Sequence, residues 1–196
     1  MLEPNKARAR ADFLNEADDM QRYRIVDYYD FPIDTVVDLL METEGLYDLK
    51  DLPNVQTNTP LECRDEGDRK LIKNKWCVHG QIPKAAQKLI KPEMLTFVED
   101  SVWDRRDRTY STKIIPNYLS NLINCRHKLE FFDNGDGRTR RVLSGFFELK
   151  VPIIGPLFEL AVVQQLKNNA EADFKMGNNA IKKYVVEHDY KPKNGS

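Results

Sequence analysis

Five polar side chains fall among apolar neighbours in the alternating stretches of this 196-residue chain, at Asn74, Glu99, Ser101, Thr112 and His127. A buried polar group costs free energy unless it is hydrogen-bonded, so each of them requires a partner in the protein or on a ligand. His127 offers the most chemistry, because its ring could orient a ligand carbonyl or hydroxyl, or act as a general acid–base.

Glu99 and His127 could form the acid–base pair of a cyclase- or isomerase-like enzyme if two strands bring them to one cavity. A hydrogen-bonded structural histidine is the interpretation that the sequence favours. The alternation of Cys125 with His127 does not indicate a nucleophile and its base, since a shared strand face does not establish their geometry. The sequence contains no Gly-rich phosphate loop and no GxSxG elbow. We therefore assign no catalytic residue.

Large aromatic residues share these predicted faces, and they would stabilise a core or form the walls of a ligand pocket. Small residues on the last helix could leave room for a ligand. The expected ligand-cavity residues are Asn74, Trp76, Phe97, Glu99, Ser101, Trp103, Tyr110, Thr112, His127, Phe131, Phe147, Ala170, Phe174 and Gly177.

Period-two alternation predicts about six or seven antiparallel strands, each with one buried and one wet face. A short helix is expected between Pro32 and Gly45, followed by a second short helical turn near 46–51. Asn134–Gly137 tolerates positive φ and predicts the last hairpin. The strands are expected near 23–31, 55–63, 72–78, 95–104, 108–115, 124–132 and 139–151.

One long helix is predicted after the sequence Val-Pro-Ile-Ile-Gly-Pro that begins at Val151, because no proline follows until Pro192 and apolar residues recur at spacings of three and four. Roughly 30 residues would make a rod about 45 Å long, which requires a wide apolar partner. Ala170 and Gly177 near its middle fit a cavity and close helix–sheet packing equally well. The elements together predict an α+β fold in which a sheet wraps around this helix.

Two segments could form the mouth of a cavity: a short helix predicted over Pro83–Ile90 and the apolar loop 116–122. Lysines in the first segment would allow transient docking on a membrane, although a lid packed on the sheet edge is the favoured interpretation. The basic residues Arg138, Arg140 and Arg141 are interpreted as a solvated strand face. The expected mouth residues are Leu89, Ile90, Tyr118 and Leu119.

Composition narrows the class of protein. Thirty basic and 31 acidic residues nearly balance, which gives no global field for nucleic acid. No apolar run approaches the length of a membrane span, and residues 1–20 are too polar for a signal peptide. Three cysteines without CxxC spacing suit free thiols in the cytoplasm, and three dispersed histidines predict no metal site. We expect a leader or short helix at 1–20, one domain at 21–187 and a disordered tail at 188–196.

Three stretches resemble the START-like helix-grip superfamily of polyketide cyclases, pollen-allergen-like and lipid-transfer proteins, and more closely an uncharacterised bacterial family within it. They are Gln81–Ile90, Val98–Trp103 and Leu149–Glu159. The resemblance spans about residues 22–187, and Pro156 stands where the family's pattern has another glycine. It implies a cavity for a hydrophobic ligand and transfers no catalytic residue or cofactor.

Three functions remain open on this sequence. The favoured one is a non-enzymatic carrier or sensor of a hydrophobic small molecule or lipid. The second is the cyclase- or isomerase-like enzyme with Glu99 and His127, and the third is a solid-cored interaction module that uses Tyr118 and Leu119. Oligomeric state is not indicated.

Overall fold

The computed structural model describes residues 20–80, 82–84, 86–88 and 90–190. Expectations for residues 1–19, for Leu89 and for residues 191–196 lie outside the described residues. Seven antiparallel strands form one sheet. They are β1 (Gln21–Tyr29), β2 (Val55–Asp65), β3 (Arg69–Val78), β4 (Thr96–Asp104), β5 (Thr109–Pro116), β6 (Ile123–Asp133) and β7 (Thr139–Leu149).

The strand order is β1-β7-β6-β5-β4-β3-β2, so consecutive hairpins run across the sheet from β2 to β7 and the first strand closes it beside the last. Alternation of the sequence explains the two faces: Ser101 and Trp103 of β4 are fully buried, whereas Asp100 and Val102 lie on the outer face. The register places one polar residue of each central strand in a row, pairing Ser101 with Thr112 and Thr112 with His127.

Helices occupy the concave face. Helix α1 (Ile33–Val37) continues as a π-helical turn at Asp38–Glu42, and 3-10 turns lie at Leu49–Asp51 and Pro92–Met94. Helix α2 (Ile154–His188) spans 35 residues. A curved seven-stranded sheet, two short helices after β1 and a long C-terminal helix are the predicted helix-grip fold, which is confirmed.

The described residues of the segment expected to form a helix at 83–90 instead form hydrogen-bonded turns, with Ala86 N donating to Pro83 O at 2.8 Å and Ile90 N to Ala86 O at 2.8 Å. Prolines on both sides leave too few residues for a stable helix. Helix α2 reaches His188, and the Tyr190 hydroxyl donates to Asp38 Oδ2 at 3.0 Å.

The interior has two clusters. At the open end, which we define as the end of the sheet where β3, β5 and β7 finish, the buried cluster includes Phe147, Leu149 and Phe158. At the packed end, which carries the hairpin turns 66–68, 105–108 and 134–138, the cluster includes Trp103, Phe131 and Ile181. Helix α2 crosses from the first cluster to the second.

Candidate ligand-binding site

A cavity of about 710 Å³ lies between the open end of the sheet and the first half of α2. This volume is in the range of small-molecule sites. Strands β4 to β7 supply one wall and α2 the facing wall, because alternate residues of each strand point toward the helix. The apolar lining comes mainly from Phe97, Ile114, Ile123, Cys125, Phe147, Phe158, Ala161, Val162 and Leu166.

Amide side chains form the polar part of the lining. Asn54, in the loop before β2, donates to Asn169 Oδ1 at 3.3 Å, and Gln165 donates to the same oxygen at 3.3 Å. Amides can both donate and accept hydrogen bonds without carrying charge. Burial raises the pKa of the Cys125 thiol to about 12, so that wall is uncharged as well. Sequence reasoning missed these amides, since nothing local to Asn54 indicates that it meets the helix.

Five expected residues line this cavity: Phe97 and Phe147 from the predicted walls, and Ile90, Tyr118 and Leu119 from the predicted mouth. Tyr118 keeps 48% of its surface exposed, which fits a position at the opening. Trp76 lies beside the wall on β3, where it pairs with Phe97 across the strands and stacks on its ring with centroids 6.4 Å apart.

The other twelve expected cavity residues lie outside this lining. Six of them lie toward the packed end: Trp103, Tyr110, Phe131, Ala170, Phe174 and Gly177. Aromatic contacts fill the space there, with Trp103 edge-on to Phe131 at 6.2 Å and Phe174 edge-on to Tyr29 at 4.9 Å. A Cβ added at Gly177 would lie 3.1 Å from Leu40 Cδ2. The small residue at 177 therefore serves close packing and leaves no open space.

Arg141 is 2% exposed and is held between the sheet and α2. It donates to Asp27 Oδ2 at 2.8 Å, to Asp173 Oδ2 at 2.7 Å and to the Ala170 carbonyl at 2.9 Å. Burial alone would lower the pKa of Arg141, but Tyr29, Asp173 and Asp27 raise it, so the guanidinium stays charged. The expectation of a solvated face was wrong for Arg141, because it lies two residues before Leu143 and thus on the same inner face.

Glu99 and His127 lie side by side on the inner face, with His127 Nε2 3.9 Å from Glu99 Oε1. Glu99 accepts a hydrogen bond from Trp76 Nε1 at 2.8 Å, and Asn74 also hydrogen-bonds to this carboxylate. Among the described residues lining the cavity, neither Glu99 nor His127 is found. Glu99 pairs directly with Ile114 of the cavity wall, whereas His127 lies two residues beyond Cys125 along β6, toward the packed end.

Burial sets the ionisation of this pair. Desolvation lowers the pKa of His127 to about 4, so the ring is neutral at pH 7. Desolvation also raises the pKa of Glu99, although the bonds from Trp76 and Asn74 oppose it. No described residue hydrogen-bonds to His127 Nδ1, which departs from the expected hydrogen-bonded structural histidine. Ser101 and Thr112 satisfy each other through their hydroxyls at 2.9 Å.

The described residues contain no cluster of three or more His, Cys, Asp or Glu side chains able to hold a metal ion. Across the same residues, every helix is too short or too polar to cross a bilayer.

No family model and no curated protein matches the sequence. Solved structures do match. TTHA0849 from Thermus thermophilus superposes with a TM-score of 0.59 at 21% identity, over 82% of this chain and 97% of that chain. The Zhui aromatase/cyclase from Streptomyces sp. R1128 gives 0.60 at 15% identity, over 90% and 99%.

Norcoclaurine synthase from Thalictrum flavum, in complex with dopamine and hydroxybenzaldehyde, gives a TM-score of 0.54 at 16% identity, over 88% of this chain and 90% of that chain. These identities establish the START-like fold alone. The fold accordingly rests on both the element order and the comparisons, whereas the site rests on the geometry described above.

Proposed function

We propose that this protein is a carrier or sensor that binds a hydrophobic small molecule or lipid, and that it works in the cytoplasm without a cofactor. The observation that supports this function is the cavity of about 710 Å³ with its mainly apolar wall. Burial of apolar ligand surface against Phe97, Phe147 and Phe158 would supply most of the binding free energy.

The polar lining narrows the ligand class. Asn54, Gln165 and Asn169 would pair with a hydroxyl, carbonyl or amide at one end of an otherwise apolar molecule. Lys84 is the charged side chain among the described lining residues, and it lies at the mouth segment. This arrangement suits a ligand whose polar end is neutral, or one that carries a single negative charge near the opening.

The comparisons agree with such a ligand, since one matched structure holds dopamine and hydroxybenzaldehyde and another is an aromatase/cyclase. An enzyme that uses Glu99 and His127 is the weaker candidate, because neither residue is among the described residues that line the cavity. The solid-cored interaction module is weaker still, since it requires a filled interior.

Ligand uptake tests the proposal. The purified protein would be extracted with organic solvent and then titrated with a fluorescent fatty acid, and saturable uptake is the expected result. Two adjacent residues of β5 give a matched pair: Ile114 lines the cavity, whereas Ile115 is 37% exposed on the outer face. Ile114→Trp should abolish uptake and Ile115→Trp should leave it unchanged. Absence of both retained ligand and saturable uptake in the unmodified protein would overturn the proposal.

A further inference from the structure

The corner between β7 and α2, residues 152–160, exposes an unusual amount of apolar surface. Ile153 is 85% exposed, Leu160 55% and Leu157 50%, and Pro152 and Pro156 are also exposed. From residue 151 to residue 166 the single charged residue is Glu159, which is 2% exposed. A contiguous patch of this kind marks an interaction surface more often than isolated exposed leucines do.

Ile153 occupies a backbone conformation that a β-branched residue rarely adopts, with φ 69° and ψ −47°. Ile154 N donates to Pro152 O at 2.8 Å, which closes a γ-turn around Ile153. Such strain persists only where the surroundings impose it. The turn therefore places an isoleucine side chain in solvent, although glycine would adopt the same backbone conformation at a lower free-energy cost.

Buried contacts impose the turn. A Cβ at residue 155 would collide with the Leu149 carbonyl oxygen, so Gly155 allows α2 to begin directly against the end of β7. Glu159 Oε1 accepts a hydrogen bond from Leu149 N at 2.7 Å across the same junction. These contacts anchor the backbone of the corner to the end of β7.

Lysines flank the corner on both sides. Lys150 precedes it, with its Nζ 3.9 Å from Glu148 Oε2, and Lys167 follows on the exposed side of α2. Both lysine side chains are exposed. Lys84 and Tyr118 line the neighbouring cavity mouth together with Ala161 of α2. An apolar patch bordered by lysines complements the acyl boundary and anionic headgroups of a phospholipid bilayer. A second copy of the chain fits less well, because a symmetric contact would bring the lysines of both copies together.

We propose that the 152–160 corner docks on the surface of an anionic phospholipid membrane, with Ile153, Leu157 and Leu160 inserted at the acyl boundary. The cavity mouth, bordered by Tyr118 and Ala161, then faces the bilayer from which ligand is exchanged. The purpose of docking rests on the proposed ligand-binding function, whereas the docking itself does not.

Vesicle co-sedimentation tests the docking. The full chain should sediment with vesicles made of equal parts phosphatidylcholine and phosphatidylglycerol, less with phosphatidylcholine alone, and less at high salt. Ile153→Gly should weaken binding about tenfold, since it removes one inserted aliphatic side chain. Glycine accepts the positive φ, so this variant should fold as well as the unmodified chain. Leu157→Gln gives a second variant with an intact turn.

The other end of α2 supplies the control, because Val186 is 82% exposed and lies far from the corner along the helix. Val186→Ser should bind vesicles like the unmodified chain. Unchanged binding by Ile153→Gly, no binding by the unmodified chain, or a dimer that Ile153→Gly disperses would each overturn the proposal.

Uptake of the fluorescent fatty acid in vesicle-free solution separates the two proposals. Ile153→Gly should retain this uptake while losing vesicle binding. If the chain takes up no fatty acid yet binds vesicles through the corner, the ligand-binding proposal falls and the docking stands. If the chain takes up fatty acid but does not bind vesicles, the docking proposal falls and the ligand-binding proposal stands.

Discussion

The two ends of the sheet face the same helix, yet one end is filled and the other holds a cavity. At the packed end, the segment between β1 and β2 adds a second layer of buried side chains, including Val36 and Leu39. At the open end, loops and turns lie beside the first half of α2. A helix about 10 Å wide cannot cover seven strands that span roughly 30 Å. A second covering element therefore decides which end of the sheet is solid.

Loss of the buried cation should damage the packed end most. Arg141→Met leaves Asp27 and Asp173 without their shared partner in a buried setting, so the free energy of unfolding should fall by about 3–5 kcal/mol. Urea denaturation measures this loss. Arg140→Met is the control, because Arg140 lies on the outer face over the Phe132 ring at 4.5 Å and contributes about 1 kcal/mol or less. Equal losses in the two variants would contradict the assignment of Arg141 as a buried anchor.

The same substitution at two positions of α2 should have different effects at the packed end and at the open end. Ala170→Leu adds volume to a buried position whose carbonyl accepts from Arg141, so the free energy of unfolding should fall by about 1–3 kcal/mol. Ala161→Leu adds the same volume inside the cavity and should lower stability little while reducing uptake of the fluorescent fatty acid. Denaturation and titration of both variants check this. Strong destabilisation by Ala161→Leu would show that the open end is filled.

The pH dependence of the free energy of unfolding should show that His127, in the polar row between the two ends, is buried and neutral. Its folded pKa of about 4 is below the unfolded value of about 6.5. Between these pH values the unfolded chain binds more protons than the folded chain. The stability that the buried neutral ring contributes is therefore complete above about pH 6.5. It declines as pH falls toward 4, by up to about 1.4 kcal/mol per pH unit.

Glu99 opposes this trend, because its raised pKa favours the folded state at low pH and the effect is lost as pH rises. The measurement therefore belongs in a Glu99→Gln background, which keeps an acceptor for Trp76 Nε1. Chemical denaturation across pH 4–7, with and without His127→Gln, isolates the histidine. Identical pH profiles for the two proteins would contradict a buried neutral ring.

Local patterns predicted the fold well and the site in part. Period-two alternation placed Phe97 and Phe147 on the inner face correctly, since that periodicity follows from strand geometry. Which inner residues border a cavity depends on distant segments, and no local signal shows that Tyr29 and Leu40 fill the space beneath Gly177.

Two misses had different causes. The alternation that placed Leu143 and Phe147 inside also places Arg141 inside. Its charge led instead to the prediction of a solvated face. The exposure of Ile153 had no such signal, because an isoleucine between prolines and a glycine gives no indication of a γ-turn.

The strand order has a consequence for the timing of synthesis. Tyr29 of β1 pairs with Thr139 of β7, more than a hundred residues later, and Gln21 pairs with Phe147. A ribosome adds about 5–20 residues per second, so β1 waits several seconds for its partner while the β2–β6 hairpins can already close. During that wait β1 is a bare strand rich in aromatic and aliphatic residues, and such strands recruit chaperones or aggregate. The slow step of folding should therefore be closure of the sheet by its first strand.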